Sequence, residues 1–471
     1  MPPSRVAAND RLGPGATLRY AIGSVGTGGF ATLPGLVLVF YLTDTLGVAA
    51  LAAGIFVTLA KVWDVVIDPV IGAWSDREFA RRGTRNRLMI LGGALIPVFF
   101  TLTFAVPPGL PPVASATWVF AAFLLAATAF SLFQVPYIGL PAELIGSYDG
   151  RTRLLAVRVV VLSVAILLFG AGGPALRRLG GTDEHLGYLL MGIVAGLVLG
   201  AAFIVASTTA GRRSLSAPVV TGSASGPGVS IGAQYRRAID AMRTSRAFRL
   251  LLGAFALQAL AVGLMLAGTQ YVAKWVLGDT NAVEILFAAF IAPAVFLTPV
   301  WALIARRIGK TRAFTWCTVL FVVATLTIVG MAWAPGAWIY APVALVGAAY
   351  AGMQAIPMAM LPDVISHDAA ERGESRSGAF SGTWTAGETA AMALGTTILT
   401  IVLALTGYVE SVGAQAVAQP QAAIVGIVVS FSIVPAILGA LSFPLIARYP
   451  LTRAMVDRGV PAGVVEPGAN A

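Results

Sequence analysis

Long apolar runs with few charged residues limit what this chain can fold into. Each run can form a helix that crosses a bilayer, which takes about 20 largely apolar residues. Only helices and closed barrels satisfy every backbone polar group where water is absent, and barrel strands would alternate polar with apolar residues, which these runs do not. Of the 471 residues, 58% are hydrophobic and 11% charged, whereas about a quarter of the residues in soluble proteins are charged. The sequence therefore predicts an all-α integral membrane protein.

The apolar runs form two sets of six. We place the spans near residues 18–42, 47–75, 86–106, 114–140, 154–173 and 187–207, and then near 248–275, 283–304, 312–332, 336–361, 379–406 and 422–446. This arrangement predicts an N-terminal six-helix bundle (1–207), a linker (208–247), a C-terminal six-helix bundle (248–446) and a tail (447–471). Within the linker, residues 214–228 are rich in Ser, Gly and Pro, and residues 235–246 are basic and weakly amphipathic. That composition is typical of a linker followed by a surface helix.

Basic residues cluster in every second segment between spans. They lie at the N-terminus, after the second, fourth and eighth spans, in the linker and in the tail, while the alternate segments hold few beyond Arg177, Arg178 and Lys274. Because cytoplasmic loops carry an excess of Lys and Arg, we expect a multi-pass protein of the cell membrane with both termini and the linker in the cytoplasm. The net charge of +10 is then a matter of topology rather than of nucleic-acid binding.

A short sequence pattern occurs in both halves of the chain. Residues 68–77 read DPVIGAWSDR and are followed by Arg82, Gly83 and Arg85, and residues 298–310 read TPVWALIARRIGK. Both are a proline-bearing helix end followed by basic residues. Equivalent segments six spans apart favour two homologous bundles with a binding site between them near mid-membrane, although any cytoplasmic helix end also collects Arg and Gly. We interpret Asp76, Arg77, Arg82 and Arg85 as a cytoplasmic gating loop.

Three charged residues lie inside the second span. Asp64 and Asp68 are one helical turn apart, and Lys61 precedes Asp64 by three residues, so all three share one side of the helix. Charge at this depth is costly and usually functional. Two carboxylates facing one cavity could hold a sodium ion or a proton. The alternative is structural, with Lys61 neutralising one aspartate and solvent reaching Asp68.

Two further charges lie in other spans. Glu388 is the one acid of the eleventh span and lies within Trp384–Thr389. It could line the same cavity, or it could make an interhelical hydrogen bond in its protonated form. Arg158 lies in the first turns of the fifth span, where it could contact a ligand or extend to the cytoplasmic surface.

The sequence shows no arrangement of residues that is typical of a catalytic site. His185 and His367 lie in segments on opposite sides of the predicted membrane, and no Ser or Cys has a base beside it in sequence. No glycine-rich phosphate loop with a Lys is present, which argues against ATP-driven pumping. The glycines of residues 23–29 are better explained by close helix packing. The single cysteine, Cys317, excludes an intramolecular disulfide.

The second span also carries a family resemblance. With the KVWD of residues 61–64 and the DPVIGAWSDR of residues 68–77, the chain resembles the glycoside-pentoside-hexuronide:cation symporters, the melibiose-carrier branch of the major facilitator superfamily. Supporting matches lie at 20–29, 40–47, 136–143, 151–158, 360–376, 384–395 and 407–408. The resemblance implies the major facilitator fold and a cation site at Asp64 and Asp68 that a hydroxyl from the fourth helix, here Ser131, would join.

The chain departs from the melibiose-type pattern at four positions. Ile67 replaces an amide that precedes the second aspartate, which removes an oxygen ligand and favours a proton over sodium. Gly28 and Gln134 stand where that branch has sugar-binding acids, and Thr389 stands where it has a lysine. We assign Lys61, Gln134, Arg158, Trp384, Glu388 and Thr389 to the solute cavity.

Together these features predict a cation-coupled secondary symporter of a small organic solute. A sugar or glycoside is the expected solute, and a proton rather than sodium the expected coupling ion. Because the sugar-binding acids are replaced, an amphipathic or lipid-like solute is the alternative, and a membrane-embedded enzyme or receptor is a third reading. We expect a small solute, a monovalent cation and the bilayer as partners, with no cofactor, nucleic acid or obligatory protein partner.

Overall fold

The computed structural model describes residues 12–145, 148–210, 240, 242–372, 377–412 and 418–451. We number the α-helices that form the spans in chain order: α1 (Pro14–Asp44), α2 (Ala50–Arg82), α3 (Asn86–Phe104), α4 (Pro112–Leu144), α5 (Tyr148–Arg177), α6 (Glu184–Ala210), α7 (Arg246–Tyr271), α8 (Ala282–Ile308), α9 (Lys310–Ile328), α10 (Tyr340–Arg372), α11 (Ser377–Leu405), α12 (Gln421–Phe431) and α13 (Ile433–Ala447). Ser432 separates α12 from α13, and the two together form the twelfth span. The prediction of twelve helical spans is confirmed.

Several helices extend beyond the predicted spans, because backbone hydrogen bonding does not stop where charged side chains begin. Helix α2 runs to Arg82 and ends at Gly83, whose φ of 66° gives the left-handed cap that favours glycine. The predicted gating loop is therefore wrong as a loop: residues 76–82 are helical, and Arg85 lies in the short connection to α3. Residues 211–239 and 241 of the predicted linker, which include half of its surface helix, lie outside the described residues.

The two bundles repeat one packing order. In the N-terminal bundle α1 packs on α5 and α6, and α3 packs on α4 and α6. In the C-terminal bundle α7 packs on α11 and α13, and α9 packs on α10 and α13. Between the bundles α2 contacts α11, α5 contacts α8 and α1 contacts α7. This order is the one expected of two homologous six-helix bundles related by a pseudo-two-fold axis.

The bundles meet at one end, which we call the closed end. It contains the end of α1 and the start of α2 from the first bundle, and the ends of α7 and α11 from the second. There a Cβ on Gly54 would lie 2.0 Å from the Thr400 hydroxyl, and the hydroxyls of Thr58 and Thr397 form a hydrogen bond. Thr58 and Thr397 are the deepest hydrogen-bonded pair between the bundles among the described residues. The basic ends of α2 and α8 lie at the opposite end.

Small residues allow the helices of each bundle to approach closely. A Cβ on Gly26 would lie 2.1 Å from a ring carbon of Phe203, and one on Gly29 would lie 2.7 Å from the ring of Phe169. Without a hydrophobic force between helices in lipid, such contacts are a main source of helix association. The packing function expected for the glycines of residues 23–29 is confirmed.

Gly26→Ala should therefore destabilise the protein, because the added methyl group overlaps the Phe203 ring. Overpacking of this kind costs about 1 to 3 kcal/mol, so the apparent unfolding temperature in detergent should fall. Gly139→Ala is the matched control, since nothing lies within 4 Å of its Cβ position and the change in a helix interior should be neutral or stabilising. Equal effects of the two substitutions would contradict the packing argument.

Candidate cation and solute site

The charged residues of α2 lie beyond its contact with α11 at Thr58, on the side away from the closed end. Lys61 Nζ lies 3.3 Å from Asp64 Oδ2, and its ammonium is 6.0 Å from the centroid of the Phe30 ring. The side chains of Lys61 and Asp64 keep 28% and 16% of their exposure. The ion pair therefore forms between neighbouring turns of one helix and remains accessible from one side.

Asp68 completes the cluster together with α4. The hydroxyl of Ser131, itself only 2% exposed, lies beside the Asp68 carboxylate, and Asp64 and Lys61 act on the same carboxylate electrostatically. Asp64 Oδ1 and Asp68 Oδ1 are both buried and accept no hydrogen bond from the described residues. Buried polar atoms are rarely left unpaired. Two such oxygens on adjacent turns mark a place where a proton or a cation could bind.

Helix α2 is held in register on α4 by contacts at either side of the cluster. Trp63 Nε1 donates a hydrogen bond of 2.9 Å to Thr128 Oγ1, one turn before Ser131 on α4. Beyond Asp68, Ile71 packs with Leu88 and Leu132, and Ile67 joins that apolar group. Ile67 consequently adds a hydrocarbon surface, and no oxygen, beside the aspartates.

A second polar group lies further along α4. Gln134 Oε1 accepts a hydrogen bond of 2.7 Å from the Thr27 hydroxyl of α1. One turn beyond, the Arg158 guanidinium from α5 lies 5.2 Å from the centroid of the Tyr137 ring. Arg158 Nε is buried without a hydrogen-bond partner among the described residues, and the Tyr137 hydroxyl donates to the Tyr20 carbonyl at 2.8 Å. Arg158 therefore packs its guanidinium against the Tyr137 ring of α4, inside the N-terminal bundle.

The C-terminal bundle contributes Glu388 from α11. Gln354 Nε2, on α10, lies 3.2 Å from Glu388 Oε1 and 2.8 Å from the hydroxyl of Tyr350, so one amide links the glutamate to α10. Thr389 follows and is partly buried. Trp384 is different: it is 2% exposed, and its ring stacks on Phe255 of α7 at 4.3 Å. Its ring therefore packs between α11 and α7, and its assignment to the solute cavity stays a prediction.

Glu388 lies at the same depth as the aspartates. Helices α2 and α11 run antiparallel from the contact between Thr58 and Thr397. With a rise of about 1.5 Å per residue, Asp64 and Asp68 lie about 9 and 15 Å beyond Thr58, and Glu388 lies about 14 Å beyond Thr397. The structure thus brings acids from both bundles to one level on facing helices, while Arg158 lies closer to the opposite end.

The basic residues at the end of α2 contact their own helix and its connection. Arg85 Nη1 donates a hydrogen bond of 2.6 Å to the buried Ser75 hydroxyl, and its guanidinium lies 5.0 Å from the Phe79 ring centroid. Arg82 pairs with Glu78 one turn earlier at 3.2 Å. Arg77 lies in the same helix, and the side chain of Asp76 is outside what the structure describes. In the second half, Lys310 pairs with Asp363 at 2.5 Å, which joins the equivalent end of α9 to α10.

Sequence reasoning missed a charged cluster at the closed end. Asp44 and Lys274 come from different bundles, and Lys274 Nζ lies 2.8 Å from Asp44 Oδ1. One signal was available: Lys274 is one of few basic residues on the side that is otherwise nearly free of them. Nothing in the spacing indicated its partner, because the two residues are 230 positions apart.

Twelve apolar helices, arranged in two bundles within the described residues, are the architecture of a membrane transporter. Residues 19–453 match the family model described as MFS/sugar transport protein, and the chain belongs to that family. The resemblance drawn from the second span is confirmed by this match.

Similar proteins agree with that assignment. An uncharacterized symporter of Synechocystis sp. is 25% identical over 93% of this chain and 94% of its own length. The glucuronide carrier protein homolog of Escherichia coli is 27% identical over 94% of each chain. The crystal structure of the nucleoside transporter NupG superposes with a TM-score of 0.64 at 12% identity, covering 93% of this chain and 99% of that one, which shows a shared fold.

The ion pair on α2 can be tested without a known solute. Lys61→Met should lower the apparent unfolding temperature at neutral pH, because it leaves Asp64 beside Asp68 with no counter-charge. We expect a loss of about 1 to 3 kcal/mol, less than for a fully buried pair. Adding Asp64→Asn should restore most of it, since the uncompensated charge is then removed. A Lys61→Met variant as stable as the parent would show that the pair contributes nothing.

Proposed function

We propose that the protein is a proton-coupled symporter of a small organic solute, a sugar or a glycoside. The observation that carries the proposal is the pair of buried carboxylate oxygens on Asp64 and Asp68, one turn apart, that accept no hydrogen bond from the described residues, with Ser131 beside Asp68. In a poorly solvated site two charged carboxylates repel each other, and one bound proton or cation removes that repulsion. Ion binding at this cluster would therefore stabilise the occupied cavity.

The surroundings of the pair favour a proton over sodium. A hard cation is held by several oxygen ligands, and one oxygen of Asp64 is already paired with Lys61. The neighbouring Ile67 side chain packs into an apolar group and supplies none. A proton needs only one carboxylate oxygen and can be shared with the Ser131 hydroxyl.

The solute would bind between the aspartates and the C-terminal bundle. Gln134, Arg158, Glu388 and Thr389 offer hydrogen-bond donors and acceptors from both bundles, which suits a polyhydroxylated molecule with or without a carboxylate. The name of the Escherichia coli relative, a glucuronide carrier homolog, agrees with a solute of this class. A lipid-like solute has no comparable support among these polar contacts.

Transport would follow from a change in which end is closed. Solute and proton bind at one level between the bundles, and rocking of one bundle against the other exposes that level to alternate sides. On the orientation expected from the basic residues, the closed end faces the outside of the cell and the ends of α2 and α8 face the cytoplasm. The cavity in this conformation would then communicate with the cytoplasm.

Asp64→Asn and Asp68→Asn should each abolish accumulation of solute driven by a pH gradient in proteoliposomes. Each change keeps the side-chain shape but removes a proton-binding charge, so exchange of solute across a de-energised membrane should persist. Glu371→Gln is the control: its side chain is 65% exposed at the end of α10, and accumulation should be unchanged. If both aspartate variants accumulate solute like the parent, the proposed coupling role of Asp64 and Asp68 is wrong.

Accumulation should follow the pH gradient and ignore sodium. Uptake driven by a sodium gradient at constant pH, and abolished by Asp68→Asn, would leave the site correct but overturn the choice of ion.

The solute class can be identified by thermal stabilisation, because a ligand of the native state raises the unfolding temperature by mass action. We expect stabilisation by members of a panel of neutral glycosides and uronides, and none by lysolipids. Glu388→Gln should lower the affinity for the most stabilising ligand by about tenfold, the loss typical of one hydrogen bond to a charged group. Stabilisation by lysolipids alone would contradict the sugar assignment.

A further inference from the structure

The closed end contains a buried carboxylate whose hydrogen-bonding side chains, among the described residues, all come from the other bundle. Asp44 ends α1 and is 0% exposed. Its Oδ1 lies 2.8 Å from Lys274 Nζ and 3.3 Å from the Ser411 hydroxyl, and its Oδ2 accepts a hydrogen bond from the Tyr408 hydroxyl. The two bundles cannot separate at this end without removing every one of these partners.

The cation of the pair has an unusual backbone setting. Lys274 lies in a five-residue π-helical turn, Val272–Val276, that follows α7, and such turns are frequent at functional sites. Its ammonium lies 4.8 Å from the ring centroid of Trp275 and 5.4 Å from that of Phe40. Trp275 Nε1 donates a hydrogen bond of 2.8 Å to Tyr408. The turn therefore presents both Lys274 and the residue that orients Tyr408.

Further contacts, several of them through the backbone, join the two bundles close to Asp44. The Thr43 hydroxyl lies 2.7 Å from that of Tyr271, and the Ser411 amide donates to the Thr43 carbonyl at 3.1 Å. Leu46 and Val412 form an antiparallel bridge, and the first amide of α2, on Ala50, donates to Glu410 at 2.9 Å. Each of these contacts joins one bundle to the other within a few residues of Asp44.

Another ion pair between the bundles differs in its exposure. Arg178 pairs with Glu284 at the same end at 2.5 Å, but its side chain is 47% exposed. Exposed pairs contribute little to stability, whereas a buried charge that loses its partner is strongly destabilising. The Asp44 cluster, and not the surface pair, should therefore decide how firmly this end is shut.

We propose that Asp44, Lys274 and Tyr408 form a gate that holds the closed end shut and must be broken each time that end opens. In the opposite conformation water would replace the partners of Asp44, so the gate sets the balance between the two conformations. This assignment needs neither the identity of the solute nor that of the coupling ion.

The balance between the two conformations can be measured as the distance between the ends of α2 and α8, which lie opposite the closed end. In a Cys317→Ala background, spin labels at Arg81→Cys and Arg307→Cys would mark the exposed ends of α2 and α8, one in each bundle. Opening the closed end by rocking should bring these labels together. In double electron–electron resonance on protein in nanodiscs, Lys274→Met should raise the ratio of short to long distances by at least about tenfold, because the buried Asp44 carboxylate loses its ion-pair partner.

Two variants separate gating from a general loss of structure. Arg178→Met removes the exposed pair at the same end and should leave the distance distribution as in the parent. Adding Asp44→Asn to Lys274→Met removes the carboxylate charge that has lost its ion-pair partner, and it should return the distribution most of the way to that of the parent. The gate is refuted if Lys274→Met causes no shift, if Arg178→Met shifts the distances equally, or if the double variant shifts as far as Lys274→Met alone. Because no solute or pH gradient is used, these outcomes are independent of the proposed coupling at Asp64 and Asp68.

Discussion

The lack of water in the bilayer core governs this molecule. A backbone polar group there must find its partner inside the protein, which is why the spans are helical. A charged side chain must likewise be paired or reached by solvent from a cavity, because its transfer into hydrocarbon costs at least about 2.5 to 3.5 kcal/mol. The few ionisable residues among the apolar helices are consequently informative, and the degree to which each is paired distinguishes them.

Two carboxylate clusters show opposite degrees of pairing. Asp44 is surrounded by partners from the other bundle, and both of its oxygens are engaged. Asp64 and Asp68 each keep a buried oxygen without a hydrogen bond from the described residues. A fully paired buried charge holds two surfaces together, whereas an incompletely paired one is satisfied when something binds. Chemically similar residues thus suit a gate at one depth and a binding site at another.

Both carboxylate clusters lie where the two repeated bundles face each other. Both bundles pack their helices in the same order, and contacts such as Gly26 against Phe203 make each bundle a tightly packed unit. The bundles join each other through α2 with α11, α5 with α8 and α1 with α7. A carboxylate on α2 and one on α11 therefore belong to different bundles, so the proposed rocking would move one relative to the other, as coupling between ion and solute requires.

The membrane class, the twelve spans and the spacing of Lys61, Asp64 and Asp68 could all be predicted from the amino-acid sequence. These depend on local quantities: the hydropathy of a run of about 20 residues and the helical period that puts residues four apart on one face. The placement of Ser131 beside Asp68 followed from family resemblance rather than from periodicity. Helix ends were less accurate, because the helical hydrogen bonds of residues 76–82 continue past the apolar run that defined the span.

Contacts between residues of different helices could not be predicted in this way and are known from the three-dimensional packing. It turned Trp384 into the contact with α7 and linked Glu388 to Gln354 of α10. It also paired Asp44 with Lys274 across 230 positions of the chain. Such pairs depend on the rotation of each helix about its axis and on how the two bundles dock, and neither is encoded in a local pattern. A charge next to a predicted span indicates that a partner is needed, but packing alone decides which residue supplies it.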